Sequence, residues 1–190
     1  MLNPTIKKVA TLILKKGRLA TLAMALAALG LGLSAVTLAS VLRLDACHLC
    51  IFQRLAFFVI GALLIFAFLG WENRLARRTL LIVASAGCAW GMNVAAQQSW
   101  LQWFPESGFN CTMSETGMTE RLIDWLGELS PAFFMATGFC GSKDLVIAGL
   151  SLANWSFIIF TLFLTSCLSL AVFCKEHGNA LPNDDQATDY

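Results

Sequence analysis

Four long apolar runs dominate the chain and set what it can fold into. They cover residues 19–42, 51–70, 80–96 and 145–173, and Arg54 is the one charged residue within them. A bilayer core about 30 Å thick takes about 20 helical residues to cross. Backbone groups in lipid must be hydrogen-bonded within the protein, so isolated strands are excluded. The sequence therefore predicts an all-α membrane protein, a bundle of four transmembrane helices.

Composition excludes the main alternative classes of protein. Of the 190 residues, 57% are hydrophobic and 13% are charged, whereas soluble domains average ~45–50% and ~25%. An ordinary soluble domain and a disordered chain are both excluded. The formal net charge of +1 provides no basic surface for nucleic acid.

The Lys and Arg residues predict the orientation, because they favour the cytoplasmic side. Both termini, 1–18 and 175–190, are expected in the cytoplasm, the second as a disordered tail. Two loops, 43–50 and 97–144, are expected outside, and the first apolar run is too long for the core of a cleaved signal peptide. The residues on the predicted inner side are Lys7, Lys8, Lys15, Lys16, Arg18, Arg74, Arg77, Arg78 and Lys175, against Arg43, Arg121 and Lys143 outside.

The long outer loop contains one further helical pattern. Between Thr119 and Leu129, apolar residues recur at helical spacing and charged residues occupy the other positions. This pattern predicts a short amphipathic helix on the membrane surface, which Pro131 ends. Trp100 and Trp103 are expected at the membrane interface.

The seven cysteines divide by predicted location. Cys88, Cys167 and Cys174 fall in or at the end of spans, where cysteine usually serves as a small packing residue. The other four, an even set, fall in the outer loops, where an oxidising compartment permits disulfides. These four are Cys47, Cys50, Cys111 and Cys140.

Cys47-His-Leu-Cys50 is the sharpest local motif. Its two-residue spacer suits thiol–disulfide exchange, and the N-terminus of the second helix favours a Cys50 thiolate. Arg54 follows Cys50 by four residues, so both lie on one helix face. There its cation would stabilise that thiolate and donate to an oxygen-bearing acceptor in the lipid.

Other interpretations of these residues remain open at this point. The motif could be half of a zinc or copper site, with His48 as a further ligand. Arg54 could be an anchor whose head reaches the interface. Cys111 and Cys140 could be a structural staple of the long loop, or a second redox pair.

Three segments together resemble one family. Cys47-His-Leu-Cys-Ile-Phe-Gln-Arg54 resembles the signature of the DsbB disulfide bond formation proteins, and Leu101-Gln-Trp-Phe-Pro105 followed by Cys111 continues the likeness. Phe134-Met-Ala-Thr-Gly-Phe-Cys140 extends it further, so that the resemblance covers about residues 15–174. It implies a bacterial inner-membrane protein whose outer loops face the periplasm.

The resemblance also implies a mechanism. A reduced DsbA-like thioredoxin-fold protein attacks the Cys111–Cys140 disulfide, with Cys111 forming the mixed disulfide. Electrons pass to Cys47 and Cys50, and Cys50, beside Arg54, delivers them to a membrane quinone, either ubiquinone or menaquinone. Such a thiol:quinone oxidoreductase reoxidises its periplasmic partner.

One departure from the family pattern concerns the end of the third span. The chain has Gln97-Gln98 there, where some relatives have a histidine that is thought to line the quinone site. Gln98 is expected to bind the cofactor by hydrogen bonding, but its amide cannot change charge near neutral pH. A proton-handling role at this position is therefore doubtful.

Three alternative functions explain the sequence less well. In a vitamin K epoxide reductase-like protein the membrane-proximal motif lies late in the chain, whereas here it lies early. A metal-binding membrane protein or transporter using Cys47, His48 and Cys50 would require further His or acidic ligands in the spans, which contain none. A purely structural four-span protein leaves the cysteine motif and Arg54 unexplained.

Overall fold

The chain is almost entirely helical in the part that the computed structural model describes, which is residues 4–43, 47–104, 118–129, 146–147 and 149–178. Four helices in these ranges are long and apolar enough to cross a membrane, which confirms the predicted four-helix membrane fold. The helices are α1 (Pro4–Leu42), α2 (His48–Leu69), α3 (Arg74–Trp103), α4 (Met118–Leu129) and α5 (Leu152–Gly178), and the strands are β1 (Val146–Ile147) and β2 (Leu150–Ser151).

The start of α3 is set by a side-chain cap. Asn73 has extended backbone geometry, and its Oδ1 accepts hydrogen bonds from the backbone N–H groups of Leu75 and Ala76 at 3.1 and 3.2 Å. An asparagine at this position satisfies donors that have no partner within the helix. The helix therefore begins before its apolar run and includes the arginines Arg74, Arg77 and Arg78.

The last long helix begins later than its apolar run. Strands β1 and β2 pair antiparallel, Val146 with Ser151, and Gly149 has a φ of 80°, which glycine adopts without strain. Ser151 Oγ then accepts a hydrogen bond from the backbone N–H of Asn154 at 3.4 Å, within the first turn of α5. At its other end, α5 extends through Gly178, so the polar tail starts as helix.

The helices pack in chain order around a common core. α2 packs against both α1 and α3, α3 packs extensively against α5, and α1 and α5 make few contacts with each other. The core is apolar and includes Cys88 and Cys167, which are fully buried in it. Cysteine as a small packing residue in the spans agrees with this placement.

The turn between α2 and α3 is closed by a buried arginine. Arg77 Nη1 donates to the backbone oxygen of Trp71 at 2.7 Å, and the guanidinium carbon lies 4.8 Å from the centroid of the Trp71 ring. A cation over an indole face is attracted by the ring quadrupole. This end of the bundle is far along α3 from the cysteine motif, so it supports the fold and not the site.

The short helix α4 is amphipathic, as its sequence pattern predicts, and the structure packs it against α2. Ile123 is buried, whereas Leu122 and Trp125 are exposed. Ile123 thus faces the bundle, and Leu122 and Trp125 face outward, as expected of a helix at a membrane surface.

Candidate active site

The cysteine motif forms the N-terminus of α2. Cys47 is the N-cap, with φ −84° and ψ 164°, and its sulfur accepts a hydrogen bond from the backbone N–H of Cys50 at 3.4 Å. The carbonyl of Cys47 accepts the first helical hydrogen bond from Ile51 at 3.1 Å. The two-residue spacer therefore corresponds to the distance between an N-cap and the third helical residue. Both sulfurs lie where the helix dipole favours negative charge.

The two sulfurs are in direct contact. Cys47 Sγ donates to Cys50 Sγ at 3.1 Å, whereas a disulfide bond is about 2.05 Å long. Only a small movement is needed to exchange this contact for a bond. Cys47 is 2% exposed, and Cys50 is half-buried, so reagents reach the site more easily at Cys50.

A chain of two buried amides connects α2, α3 and the sulfurs. Gln53 Nε2 donates to Gln98 Oε1 at 2.7 Å. Gln98 Nε2 in turn donates to Cys50 Sγ at 2.9 Å and lies 3.7 Å from Cys47 Sγ. Both glutamines are at most 5% exposed, so these hydrogen bonds are shielded from water and electrostatically stronger for it.

A cleft opens beside the cysteine pair. It has a volume of about 90 Å³ and is bounded by α1, α2, α3 and the start of α5. Cys50, Arg54 and Gln98 lie on its polar side, and Leu38 and Phe57 are among its apolar lining. A cysteine sulfur, a cation and apolar walls therefore meet in one space.

The apolar wall is held in place by stacked aromatic rings. The rings of Phe57 and Phe160 are nearly parallel, with centroids 4.4 Å apart and an interplanar angle of 6°. Both rings are buried. Gly91 on α3 leaves space for Phe160, because a Cβ built at Gly91 would lie 2.6 Å from that ring. The position of Phe57 in the cleft thus depends on a glycine on another helix.

Four of the residues singled out from the sequence come together in this region. Cys47, Cys50, Arg54 and Gln98 all lie at one end of α2 and α3. The predicted partners in the long loop, Cys111 and Cys140, lie outside the described residues.

Sequence reasoning missed Gln53 and Phe57 as parts of the site. A signal for Gln53 was present, since it is a polar amide in an apolar run and follows Cys50 by three residues, which puts both on one helix face. Phe57 had no comparable signal, because a phenylalanine in a membrane span is ordinary packing.

The residues around the cysteine pair do not form a metal-binding group in the described part of the chain. Over the described ranges, no group of three or more His, Cys, Asp or Glu residues is placed to hold a metal ion. No structural observation therefore favours a metal site built on Cys47, His48 and Cys50.

Several proteins with related sequences share one name. The family described as Disulfide bond formation protein DsbB matches residues 17–170. Disulfide bond formation protein B of Dechloromonas aromatica (strain RCB) is 44% identical over 135 residues, which are 71% of this chain and 80% of the relative. Proteins of the same name are 33% identical over 148 residues in Albidiferax ferrireducens (76% and 82% coverage) and 30% identical over 150 residues in Shewanella amazonensis (78% and 86%). The chain therefore belongs to the DsbB family, a multi-pass membrane family of disulfide bond formation proteins.

Proposed function

We propose that the chain is a protein-dithiol:quinone oxidoreductase that reoxidises a DsbA-like thioredoxin-fold protein in the periplasm. Its family forms disulfide bonds, and each new disulfide releases two electrons that need an acceptor. The observation that carries the proposal is the cleft in which the Cys50 sulfur, the Arg54 cation and apolar walls meet. The net reaction is dithiol plus quinone to disulfide plus quinol.

The electron path uses two cysteine pairs. The reduced partner attacks the Cys111–Cys140 disulfide and leaves as a disulfide, so this pair becomes a dithiol. One of its thiolates then attacks the Cys47–Cys50 disulfide, and exchange leaves Cys47 and Cys50 reduced. Their contact distance of 3.1 Å supports reclosure of that bond within the pair when electrons leave.

The cleft fits a quinone ring in its chemistry. Leu38 and Phe57 supply apolar surface for the ring, and we propose that Arg54 and Gln98 bind its oxygen atoms. A guanidinium presents several donors in a fixed fork, which suits a polarised carbonyl oxygen. When bound, ubiquinone or menaquinone supplies a lipid-soluble acceptor of two electrons.

The proposed location is the bacterial inner membrane, with both termini in the cytoplasm and the cysteine motif facing the periplasm. The excess of Lys and Arg on the side of the termini supports this orientation. Trp100, Trp103 and Phe104 are exposed close to the cysteine end of α3. Exposed aromatic side chains at this level are typical of a membrane–water interface.

The test is turnover of purified protein in detergent with a reduced DsbA-like protein and a water-soluble quinone. Wild type is expected to reduce the quinone, and Cys50→Ser and Cys111→Ser are expected to be inactive. Arg54→Ala is expected to raise the KM for quinone by about tenfold or more, since a hydrogen bond to a charged group is worth about 1.5–3 kcal/mol.

Arg78→Ala serves as the control for Arg54→Ala, because Arg78 is exposed on α3 at the far end of the bundle. Its KM should match wild type. Normal turnover of Cys111→Ser would mean that Cys111 and Cys140 serve only as a structural disulfide. Absence of quinone reduction by wild type would refute the proposed activity.

A further inference from the structure

Hydrogen-bond donors at the cysteine pair are placed unequally. Cys50 Sγ accepts from Gln98 Nε2 at 2.9 Å and from Cys47 Sγ at 3.1 Å. Two contacts that reach Cys47 Sγ from nitrogen are longer, at 3.4 Å from the backbone N–H of Cys50 and 3.7 Å from Gln98. The stronger side-chain donor is thus directed at Cys50.

We propose that Gln53 is a positioning residue that orients the Gln98 amide toward Cys50, so that this donor favours negative charge on Cys50 over Cys47 when the disulfide opens. None of these hydrogen bonds joins Gln53 to either sulfur. It acts through Gln98, from the helix that also carries the cysteines.

The orientation of Gln98 follows from what an amide can do at each end. Its oxygen only accepts and its nitrogen only donates. Because Gln53 Nε2 donates to Gln98 Oε1 at 2.7 Å, the Gln98 nitrogen is turned toward the sulfurs. With Gln53 in this orientation, the reversed Gln98 amide would place two N–H groups against each other and an oxygen against the sulfur. Reversal of both amides would satisfy a Cys50 thiol but would turn an oxygen toward a Cys50 thiolate. Both side chains are buried, where an unmade hydrogen bond costs the full desolvation penalty.

The consequence for exchange chemistry depends on which sulfur leaves. A thiolate that attacks Cys47 forms a mixed disulfide with it, and the electron pair of the broken S–S bond stays on Cys50. No proton is needed in this step, because Cys50 leaves as a thiolate. A better stabilised leaving thiolate leaves faster, so the Gln98 donor favours exchange at Cys47 and keeps the charge at the cleft. Cys47 is 2% exposed, so this exchange requires a movement that uncovers its sulfur.

The amide donor has a further property that a histidine would lack. An amide does not titrate near neutral pH, so Gln98 donates to Cys50 over the whole physiological range. A histidine at this position would change its charge between about pH 5 and 8. The direction of exchange at this site is therefore not coupled to protonation of residue 98.

The inference can be measured without partner or quinone, on the reduced full-length protein in detergent. The protein is treated with a limiting amount of iodoacetamide at fixed pH, and peptide mass spectrometry gives the ratio of Cys50 to Cys47 modification. The variants are Gln53→Met, Gln98→Met and the double variant, since methionine is close to glutamine in size. Gln97→Met is the matched control, because Gln97 is exposed and bonds to Asn93 within α3.

Wild type is expected to react preferentially at Cys50, which is also the more exposed sulfur, so the inference is tested by the ratios of the variants relative to wild type. Gln98→Met should lower the Cys50:Cys47 ratio by about tenfold, the effect of losing a hydrogen bond to a charged group. Gln53→Met should lower it by about threefold or more, and the double variant should equal Gln98→Met, because residues that act as a unit are not additive. Gln97→Met should match wild type.

Two outcomes would overturn the inference. One is a Cys50:Cys47 modification ratio in Gln53→Met that equals the ratio in wild type. The other is a double variant in which the fold decrease of this ratio equals the product of the decreases in the two single variants. Gln53→Leu is a second variant of similar size in case Gln53→Met fails to fold, which thermal unfolding would reveal. The inference rests on the proposed function only where it concerns turnover. If wild type were inactive with quinone but the modification ratios were as expected, the proposed function would be refuted and the positioning role of Gln53 would stand.

Discussion

Gly91 links the packing of the bundle to the shape of the cleft, and its replacement by alanine tests that link. A Cβ at Gly91 would lie 2.6 Å from the Phe160 ring, whereas ordinary contacts are 3.4–4 Å. The ring must therefore retreat by about 1 Å. It cannot do so freely, because its face is stacked on Phe57 at 4.4 Å. The displacement is passed on to Phe57, which lines the cleft.

The size of the effect follows from two opposing contributions. Overpacking a filled core costs about 1–3 kcal/mol, and Gly→Ala within a helix returns up to about 1 kcal/mol. We expect Gly91→Ala to lower the free energy of unfolding by about 1–2 kcal/mol and to raise the KM for quinone. Gly87→Ala is the matched control one turn away on α3, since its Cβ would meet Ile60 at an ordinary 3.4 Å.

Unfolding in mixed micelles and steady-state quinone kinetics measure the two effects. Gly87→Ala should be as stable as wild type or slightly more stable, with unchanged KM. Combining Gly91→Ala with Phe160→Leu should recover part of the loss, because residues in contact are coupled. Equal stability of Gly91→Ala and Gly87→Ala would refute the reasoning.

Two further predictions concern elements that support the site. Asn73→Ala should lower the free energy of unfolding by about 1 kcal/mol, because the first turn of α3 loses its cap, and thermal unfolding measures this change. Ile123→Ser should release α4 from α2, because it removes a buried side chain worth about 2 kcal/mol or more. Limited proteolysis should then cut α4 faster, whereas Leu122→Ser, at an exposed position, should leave the rate unchanged.

Much of the fold was predictable because lipid permits few structures. Uncharged runs long enough to cross a membrane must be helical, and α4 was predictable from the period of its apolar residues. The start of α5 was not, since apolar periodicity over a few residues cannot distinguish a strand from a helix. The hairpin before Leu152 depends on Gly149 and on local pairing.

The candidate site was predictable where its residues are close in sequence. Cys47, Cys50 and Arg54 share two turns of α2, so helical geometry alone brings them together. The bond between Gln53 and Gln98 joins positions 45 residues apart. It depends on how α2 and α3 rotate against each other, which sequence pattern does not specify.

The most direct test of the central claim is an anaerobic titration of the fully reduced protein with a water-soluble quinone. Each redox-active pair of thiols can reduce one equivalent of a two-electron acceptor. Wild type is expected to form two equivalents of quinol per chain, Cys111→Ser one, and Cys50→Ser none. Quinol formation by Cys50→Ser at the wild-type level, or none by wild type, would contradict the account.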